Sequence, residues 1–92
     1  MEFEWDLTKA ANNFRKHGVS FEEASTVFAD ALSAIYEDPD HSVKEHRFLT
    51  IGLSKKRRLL HVAFAERGKR IRIIQARKVT ARERQLYEQE ER

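Results

Sequence analysis

The side chains best suited to chemistry are one histidine and two arginines in the second half of the chain. His61 can carry a proton near neutral pH. Arg58 and Arg77 can stabilise the negative charge that develops on a phosphate during displacement. Together these residue types meet the needs of metal-free RNA cleavage, in which a 2′-hydroxyl attacks its own phosphate. Each of the three is equally typical of an ordinary strand surface, so the residues alone leave both interpretations open.

Basic side chains are concentrated in one segment. Residues 55–84 contain twelve of the eighteen Lys and Arg residues and only two acids, a formal charge of +10. Residues 1–54 contain five basic and ten acidic side chains, and residues 85–92 contain one and three. Such a concentration of positive charge is typical of a protein that binds a polyanion, most often nucleic acid. A solvated basic surface is the alternative interpretation.

Length and composition limit the kind of site that the chain can build. Ninety-two residues suffice for one domain, spanning residues 1–92, with a thin core. An apolar fraction of 40% and a charged fraction of 36% favour chemistry on an open surface over a deep pocket. The absence of cysteine excludes disulfides and thiolate metal sites. The absence of an apolar N-terminal run predicts a cytoplasmic protein without a signal peptide or membrane span.

Motifs for metals and cofactors are not evident. Glu37, Asp38, Asp40 and His41 have the composition of a metal site, but they surround a proline turn, so a solvated acidic loop is the simpler interpretation. The chain contains no P-loop, GxGxxG or HExxH motif. We therefore expect neither a metal nor a cofactor.

The first third of the chain predicts a short strand and a helical hairpin. Apolar residues alternate with acids over residues 2–6, the period of a strand. Asp6 predicts the N-cap of a first helix that ends at Gly18. Ser20 and Glu23 form a capping box for a second helix over about residues 21–29. The side chains expected to be buried on the first helix are those of Leu7, Ala10, Ala11 and Phe14.

The rest of the chain predicts an antiparallel meander and a terminal helix. Strands are expected over residues 32–36, 47–54, 58–65 and 69–77. Thr80 and Glu83 form another capping box, for a helix to about residue 90 that buries Leu86 and Tyr87. The fold class is therefore α+β, with the helical hairpin packed on the sheet. The strand residues expected to face the hairpin are Leu49, Ile51, Leu53, Leu60, Val62, Phe64, Ile71 and Ile73.

Strand pairing predicts where the positive charge gathers. In a meander, the start of one strand lies beside the end of the next, so the turn over residues 55–58 should lie near Arg77. His61 is expected on the sheet face that points away from the hairpin. If the polyanion is RNA, the residues expected to bind its phosphates are Lys55, Lys56, Arg72, Lys78 and Arg82.

Several motifs occur together along nearly the whole chain. The most distinctive is the nine-residue run Lys-His-Gly-Val-Ser-Phe-Glu-Glu-Ala over residues 16–24, which no single physical requirement would generate. The others are Phe3-x-Trp5-Asp6, Val27-Phe28-x-Asp30, Ile51-Gly52-Leu53 and Ile71-Arg72-Ile73-Ile74-x-Ala76-Arg77, leading to Glu83 and Tyr87. With these motifs the chain resembles the BrnT toxin family of bacterial type II toxin-antitoxin systems.

The resemblance implies a RelE-like fold and a ribonuclease that cleaves RNA and arrests translation. It also implies a cognate BrnA-like antitoxin of the ribbon-helix-helix class, through which the complex would bind operator DNA. By position, Arg58, Arg77, Lys78 and Tyr87 match the basic residues and the C-terminal Tyr or His of RelE-like toxins. Relatives carry an aliphatic residue at the position of His61, so Tyr87 and His61 are both candidates for proton transfer.

Two hypotheses for the function follow. The first is a metal-independent endoribonuclease toxin, and the second is a catalytically inactive module of the same fold that binds RNA or the antitoxin. A DNA-binding regulator that acts alone lacks support, because the basic residues lie on strands and turns rather than on a recognition helix.

Overall fold

The computed structural model describes residues 1–38 and 46–90. Pro39, Asp40 and His41 of the predicted acidic turn lie outside the described residues. Among those described, no helix is long and apolar enough to span a membrane. The elements in chain order are β1 (Glu2–Glu4), α1 (Leu7–His17), α2 (Phe21–Ser25), a 3₁₀ helix (Thr26–Ala29), β2 (Ala34–Glu37), β3 (Arg47–Leu53), β4 (Leu59–Arg67), β5 (Arg70–Lys78) and α3 (Ala81–Glu90).

The strands form one sheet in the order β1-β5-β4-β3-β2. The last four strands of the chain pair antiparallel, as the predicted meander requires. β1 joins the sheet beside β5 in parallel. The predicted α+β architecture is therefore confirmed, and the strand bounds differ from the prediction by one or two residues.

The helices begin and end at the predicted capping residues. The Asp6 side chain accepts a hydrogen bond from the Lys9 backbone N–H, and Gly18 ends α1 with φ 69° in the left-handed region. The Ser20 hydroxyl accepts from the Glu23 backbone N–H at 3.0 Å. α2 is shorter than predicted, because the chain continues from Thr26 as a 3₁₀ helix.

The predicted inward face of α1 is confirmed for Ala10, which packs against the core, and is wrong for Leu7, Ala11 and Phe14, which are exposed. Leu7 is 80% exposed and Phe14 is 57% exposed, whereas Asn13 is buried. The Asn13 amide accepts from the backbone N–H of Ala76 and donates to the carbonyls of Ala76 and Val19. A polar side chain therefore occupies the helix–sheet interface because all of its hydrogen-bonding atoms find backbone partners there.

Each face of the sheet has its own apolar cluster. On the face that we call the hairpin face, α1 and α2 cover β4 and β5. On the opposite face, which we call the α3 face, Tyr87 of α3 packs against Ile51 and Leu59. The hairpin-face cluster consists of Val19, Phe21, Ala24, Val27, Leu60, Val62, Ile73 and Ala76.

The predicted orientation of β3 is also wrong. Leu49, Ile51 and Leu53 lie directly opposite the β4 residues that point away from the hairpin, so they belong to the α3 face. Gly52 points toward the hairpin instead. A Cβ atom at Gly52 would lie 2.7 Å from Cγ1 of Val27, so the missing side chain allows the 3₁₀ helix to pack closely on β3.

Candidate active site

A β-bulge in β5 brings Arg77 beside His61. Strict alternation from Ile73, which packs on the hairpin face, would place Arg77 on that same face. The register between β4 and β5 shifts between Ala63 and Phe64, and one extra residue in β5 reverses the alternation. Arg77 consequently lies directly opposite His61 on the α3 face. Bulges often redirect a side chain next to an active site.

Arg77 is held by the carboxylate of Glu83, at the start of α3. Both terminal nitrogens of Arg77 donate to Glu83, one to each carboxylate oxygen, at 2.8 Å. Glu83 Oε1 also accepts from the backbone N–H of Thr80, whose hydroxyl accepts from the Glu83 N–H. The hydrogen bonds from Arg77 are the main reason that the pKa of Glu83 falls to about 2. The same pairing raises the pKa of Arg77.

His61 completes this group. Its Nε2 lies 3.7 Å from Oε2 of Glu83. Its Nδ1 is buried and has no hydrogen-bond partner among the described residues. Burial, and then the charge of Arg77, lower the pKa of His61, while the charges of Glu83 and Asp38 act in the opposite direction. The lowered pKa favours the neutral imidazole. We call His61, Arg77 and Glu83 the α3-face site.

Tyr87 lies in the apolar cluster of the α3 face, with 6% of its surface exposed. Its hydroxyl donates a hydrogen bond of 2.8 Å to Oδ2 of Asp30. Burial raises the pKa of Asp30, but hydrogen bonds from the backbone N–H groups of Leu53 and Leu32, and from Tyr87, outweigh it and lower the pKa overall. The phenol is thus part of a partly buried hydrogen-bond network around an ionised carboxylate.

Arg58 lies on the hairpin face, away from the α3-face site. Its guanidinium donates to both carboxylate oxygens of Glu23 and, at 3.1 Å, to the carbonyl of Gly18. Ser54 Oγ donates to the same carboxylate at 2.7 Å. These hydrogen bonds tie the start of β4 to both helices of the hairpin. The side-chain hydrogen bond from Arg58 is the main reason that the pKa of Glu23 is lowered.

The cations predicted to bind phosphates fall into two groups. Arg72 is bonded to Glu4 of β1 at 2.9 Å, at the opposite end of β5 from Arg77. The others are exposed, and none of them forms an ion pair with a described residue. They lie around the β3–β4 turn, the end of β5 and the start of α3, and we call them the turn patch: Lys55, Lys56, Lys78 and Arg82.

Glu83 is the site residue that the sequence did not reveal. Its capping box with Thr80 was predicted and is confirmed, but nothing in the spacing indicates that its carboxylate also binds Arg77. Within residues 1–38 and 46–90, no group of three or more His, Asp or Glu side chains could hold a metal ion.

The comparison with protein families decides the identity of the chain. The family model described as the ribonuclease toxin BrnT of type II toxin-antitoxin systems matches residues 5–83. The chain belongs to this family. A BrnT-family protein is a ribonuclease toxin, which acts on RNA and has an antitoxin as its partner. The family resemblance of the sequence motifs is therefore confirmed.

A solved structure agrees with the fold. The crystal structure of the Brucella abortus ribonuclease toxin BrnT is 22% identical in sequence and has a TM-score of 0.64. The match covers 87% of this chain and 97% of that chain. No curated protein matches this BrnT-family chain.

Proposed function

We propose that this BrnT-family toxin is an endoribonuclease that cleaves RNA without a metal ion, by attack of a 2′-hydroxyl on the adjacent phosphate. It would act in the cytoplasm and arrest translation by destroying RNA. The observation that supports this mechanism is the convergence of His61, Arg77 and Glu83 on one sheet face. A guanidinium, an imidazole and a carboxylate can together stabilise the phosphorane charge and move two protons.

Arg77 is proposed to bind the scissile phosphate. Its two donors now point at the Glu83 carboxylate, which has a planar, two-oxygen geometry similar to that of a phosphate edge. A phosphate that takes over these hydrogen bonds would release Glu83 from Arg77. Because the Arg77 hydrogen bonds are the main cause of its low pKa, Glu83 would become a stronger base when substrate is bound.

Glu83 and His61 are proposed to carry the two protons. The Glu83 carboxylate would accept the proton of the 2′-hydroxyl as that oxygen bonds to phosphorus. Protonated His61 would donate a proton to the departing 5′-oxygen, leaving a 2′,3′-cyclic phosphate. The negative charge of the bound phosphate favours protonation of His61, which opposes the effect of burial on its pKa.

Arg58 and Tyr87 were predicted from the sequence to be catalytic. We propose instead that they position the elements of the site. Arg58 fixes the start of β4 to the hairpin through Glu23. Tyr87 fixes α3 to the sheet through Asp30. Both contacts hold elements that carry the α3-face site.

The turn patch is proposed to bind the flanking phosphates. Lys78 and Arg82 adjoin Arg77 and Glu83 in the chain, and none of the four cations forms an ion pair within the described residues. Arg72 would contribute only to RNA that extends to the other end of β5, in competition with Glu4. An acidic segment of a BrnA-like ribbon-helix-helix antitoxin could neutralise the same cations, and operator DNA would be bound only through that antitoxin.

RNA cleavage in EDTA tests the proposal. The purified protein should cut single-stranded RNA in EDTA and leave 2′,3′-cyclic phosphate ends, which resist phosphatase until they are opened with acid. Magnesium should not be needed. Loss of all cutting in EDTA with recovery in magnesium would contradict the mechanism, as would products with 5′-phosphate and 3′-hydroxyl ends.

A second candidate function is the inactive binding module. The observation that favours it is that Arg58, Arg72 and Arg77 are all bonded to carboxylates of the chain itself. Such a module would bind RNA with a steep salt dependence, yet it would neither cut RNA nor stop growth when it is expressed. Growth arrest that disappears in Arg77→Ala favours the enzyme over the module.

A further inference from the structure

A cleft between the β3–β4 turn and α3 lies next to the α3-face site. It has a volume of about 230 Å³. Its apolar floor is formed by Leu53, Leu59 and the ring of Tyr87, and its rim carries charged groups from both walls. Leu59 precedes His61 by two positions on the same face of β4. The residues that line the cleft are Leu53, Arg57, Leu59, Arg84, Tyr87 and Glu88.

The charged side chains of the rim make no contacts that stabilise the described part of the fold. The side chains of Arg57, Arg84 and Glu88 are exposed, and none forms an ion pair or hydrogen bond within the described part of the chain. Two guanidinium groups at one cleft repel each other unless an acceptor lies between them. The rim therefore offers unpaired donors and an unpaired acceptor above an apolar floor.

Arg57 adopts a backbone conformation that arginine disfavours. Its φ of 65° is in the left-handed region, and among the described residues it is the only one other than glycine with a positive φ. The two other turns with left-handed backbone use Gly18 and Gly68. A non-glycine residue in this region is strained, and such strain is concentrated at functional sites. Glycine would adopt this backbone conformation without strain, so the turn itself does not require the arginine side chain.

We propose that this cleft binds a nucleobase of the RNA, and that the base is guanine. This proposal rests on the proposed function, since the base would belong to the nucleotide whose phosphate reaches Arg77. Single-stranded RNA is generally recognised by stacking of bases on aromatic or apolar side chains, with polar groups at the base edges. The cleft is smaller than the roughly 300 Å³ typical of pockets for drug-sized ligands, which suits one planar ring system.

The rim chemistry selects guanine among the four bases. Guanine presents two acceptors, O6 and N7, which match an arginine guanidinium. It also presents N1–H and N2–H donors, which match the carboxylate of Glu88. Adenine would place an amino donor against the guanidinium, and the pyrimidines lack the N7 acceptor. Arg84 or Arg57 would therefore bind one edge of guanine while Glu88 binds the other.

Equilibrium binding of nucleotides tests the proposal without requiring catalysis. The probes are 3′-GMP, 3′-AMP, 3′-CMP and 3′-UMP, titrated into the purified protein by calorimetry. We expect 3′-GMP to bind about tenfold more tightly than the others. Glu88→Gln should reduce that preference to about twofold or less, because the amide group places a donor against the guanine donors. Glu22→Gln, which removes an exposed glutamate from α2 away from the cleft, serves as the matched control and should keep the full preference.

Arg57→Gly separates recognition from folding. Glycine relieves the left-handed strain, so the midpoint of urea unfolding should stay or rise, while the affinity for 3′-GMP falls severalfold. Equal affinity for the four nucleotides, no binding of any of them, or a guanine preference that survives Glu88→Gln would overturn the cleft assignment.

The cleavage assay then tells the two proposals apart. Cyclic-phosphate products without base preference would leave the ribonuclease mechanism standing and overturn the guanine site. A guanine preference in binding without cleavage would support the site and overturn the mechanism.

Discussion

The two faces of the sheet each carry an arginine bonded to the glutamate of a helix capping box, and only one of these pairs has the surroundings of an active site. On the hairpin face Arg58 binds Glu23, which belongs to the box begun by Ser20. On the α3 face Arg77 binds Glu83, which belongs to the box begun by Thr80. The sequence motif is the same, and the environment differs.

Burial is the first difference. The Glu23 side chain is 2% exposed, whereas that of Glu83 is 19% exposed. Glu23 also binds the Ser54 hydroxyl, and its partner Arg58 binds a backbone carbonyl of the hairpin. The Glu23 carboxylate is therefore enclosed by partners that hold the fold together, whereas the Arg58 and Arg77 guanidinium groups are similarly exposed, at 30% and 28%.

The titratable neighbour is the second difference. His61 lies 3.7 Å from Glu83 and has a buried nitrogen without a hydrogen-bond partner in the described part of the chain. Ionisable groups with an unsatisfied histidine beside them are typical of functional sites, whereas an ion pair whose hydrogen bonds are all made within the fold is typical of a structural role. This difference in surroundings is what supports the proposed role of Glu83 and gives none to Glu23.

Arg58→Ala should give the largest effect, and it should be an effect on stability. Loss of the guanidinium leaves the buried Glu23 carboxylate without its main partner, at a cost of about 3–5 kcal/mol in the free energy of unfolding. Urea denaturation measures it. Adding Glu23→Gln should recover part of the loss, and a single variant as stable as the wild type would remove the structural role of this pair.

His61→Gln should lower the cleavage rate by about 100- to 1000-fold with little change in the unfolding midpoint. Glutamine has a similar size but cannot carry a proton near neutral pH. The rate of formation of cyclic-phosphate ends, measured at saturating RNA, reports the effect. A folded variant with the wild-type rate would assign proton transfer to another residue, with Tyr87 as the next candidate.

The free energy of unfolding should depend on pH less steeply in Glu83→Gln than in the wild type. Its pKa lies at about 2 in the folded state, below the ordinary 4.5, so its contribution to stability is complete above about pH 5 and is lost as the pH falls toward 2. The pKa of His61 is also lowered in the folded state, so this residue too makes the fold less stable as the pH falls, at a higher pH than Glu83 does. Urea denaturation between about pH 6 and 3 should therefore show a shallower loss for Glu83→Gln, by about 1–2 kcal/mol. An unchanged slope would contradict the strength of the Arg77–Glu83 pair.

Removal of the two capping hydroxyls should give the smallest effects. Ser20→Ala and Thr80→Ala should each lower the free energy of unfolding by about 1 kcal/mol. Only Thr80→Ala should also slow RNA cleavage, by severalfold, because Thr80 orients Glu83. Thr80→Ser should restore the rate. Equal effects of the two alanine variants on cleavage would remove the distinction between the boxes.

The helix caps of this fold could be predicted from the sequence. Which side chains of α1 point into the core could not. The caps at Asp6, Ser20 and Thr80 depend on residues three positions away, which the sequence displays directly. The inward face of α1 depends on the Asn13 amide, whose backbone partners include Ala76, 63 residues away. No periodicity within the helix reveals such a partner.

The site shows the same limit. The meander register correctly placed the β3–β4 turn near the end of β5, since Leu60 pairs with Lys78. The bulge that brings Arg77 to the α3 face has no sequence signal, because no glycine or proline marks it. Arg58 and Arg77 were predicted to act together, and the sheet separates their side chains.

The α3-face site is best tested by comparing Arg77→Ala with Arg58→Ala for RNA cleavage, at a temperature at which circular dichroism shows both variants folded. If the α3-face site performs the chemistry, Arg77→Ala should lose at least about 1000-fold in the rate of cyclic-phosphate formation. Arg58→Ala should retain most of the rate per folded molecule. A folded Arg77→Ala that cuts RNA at the wild-type rate, or a folded Arg58→Ala that cuts none, would show that the chemistry takes place elsewhere.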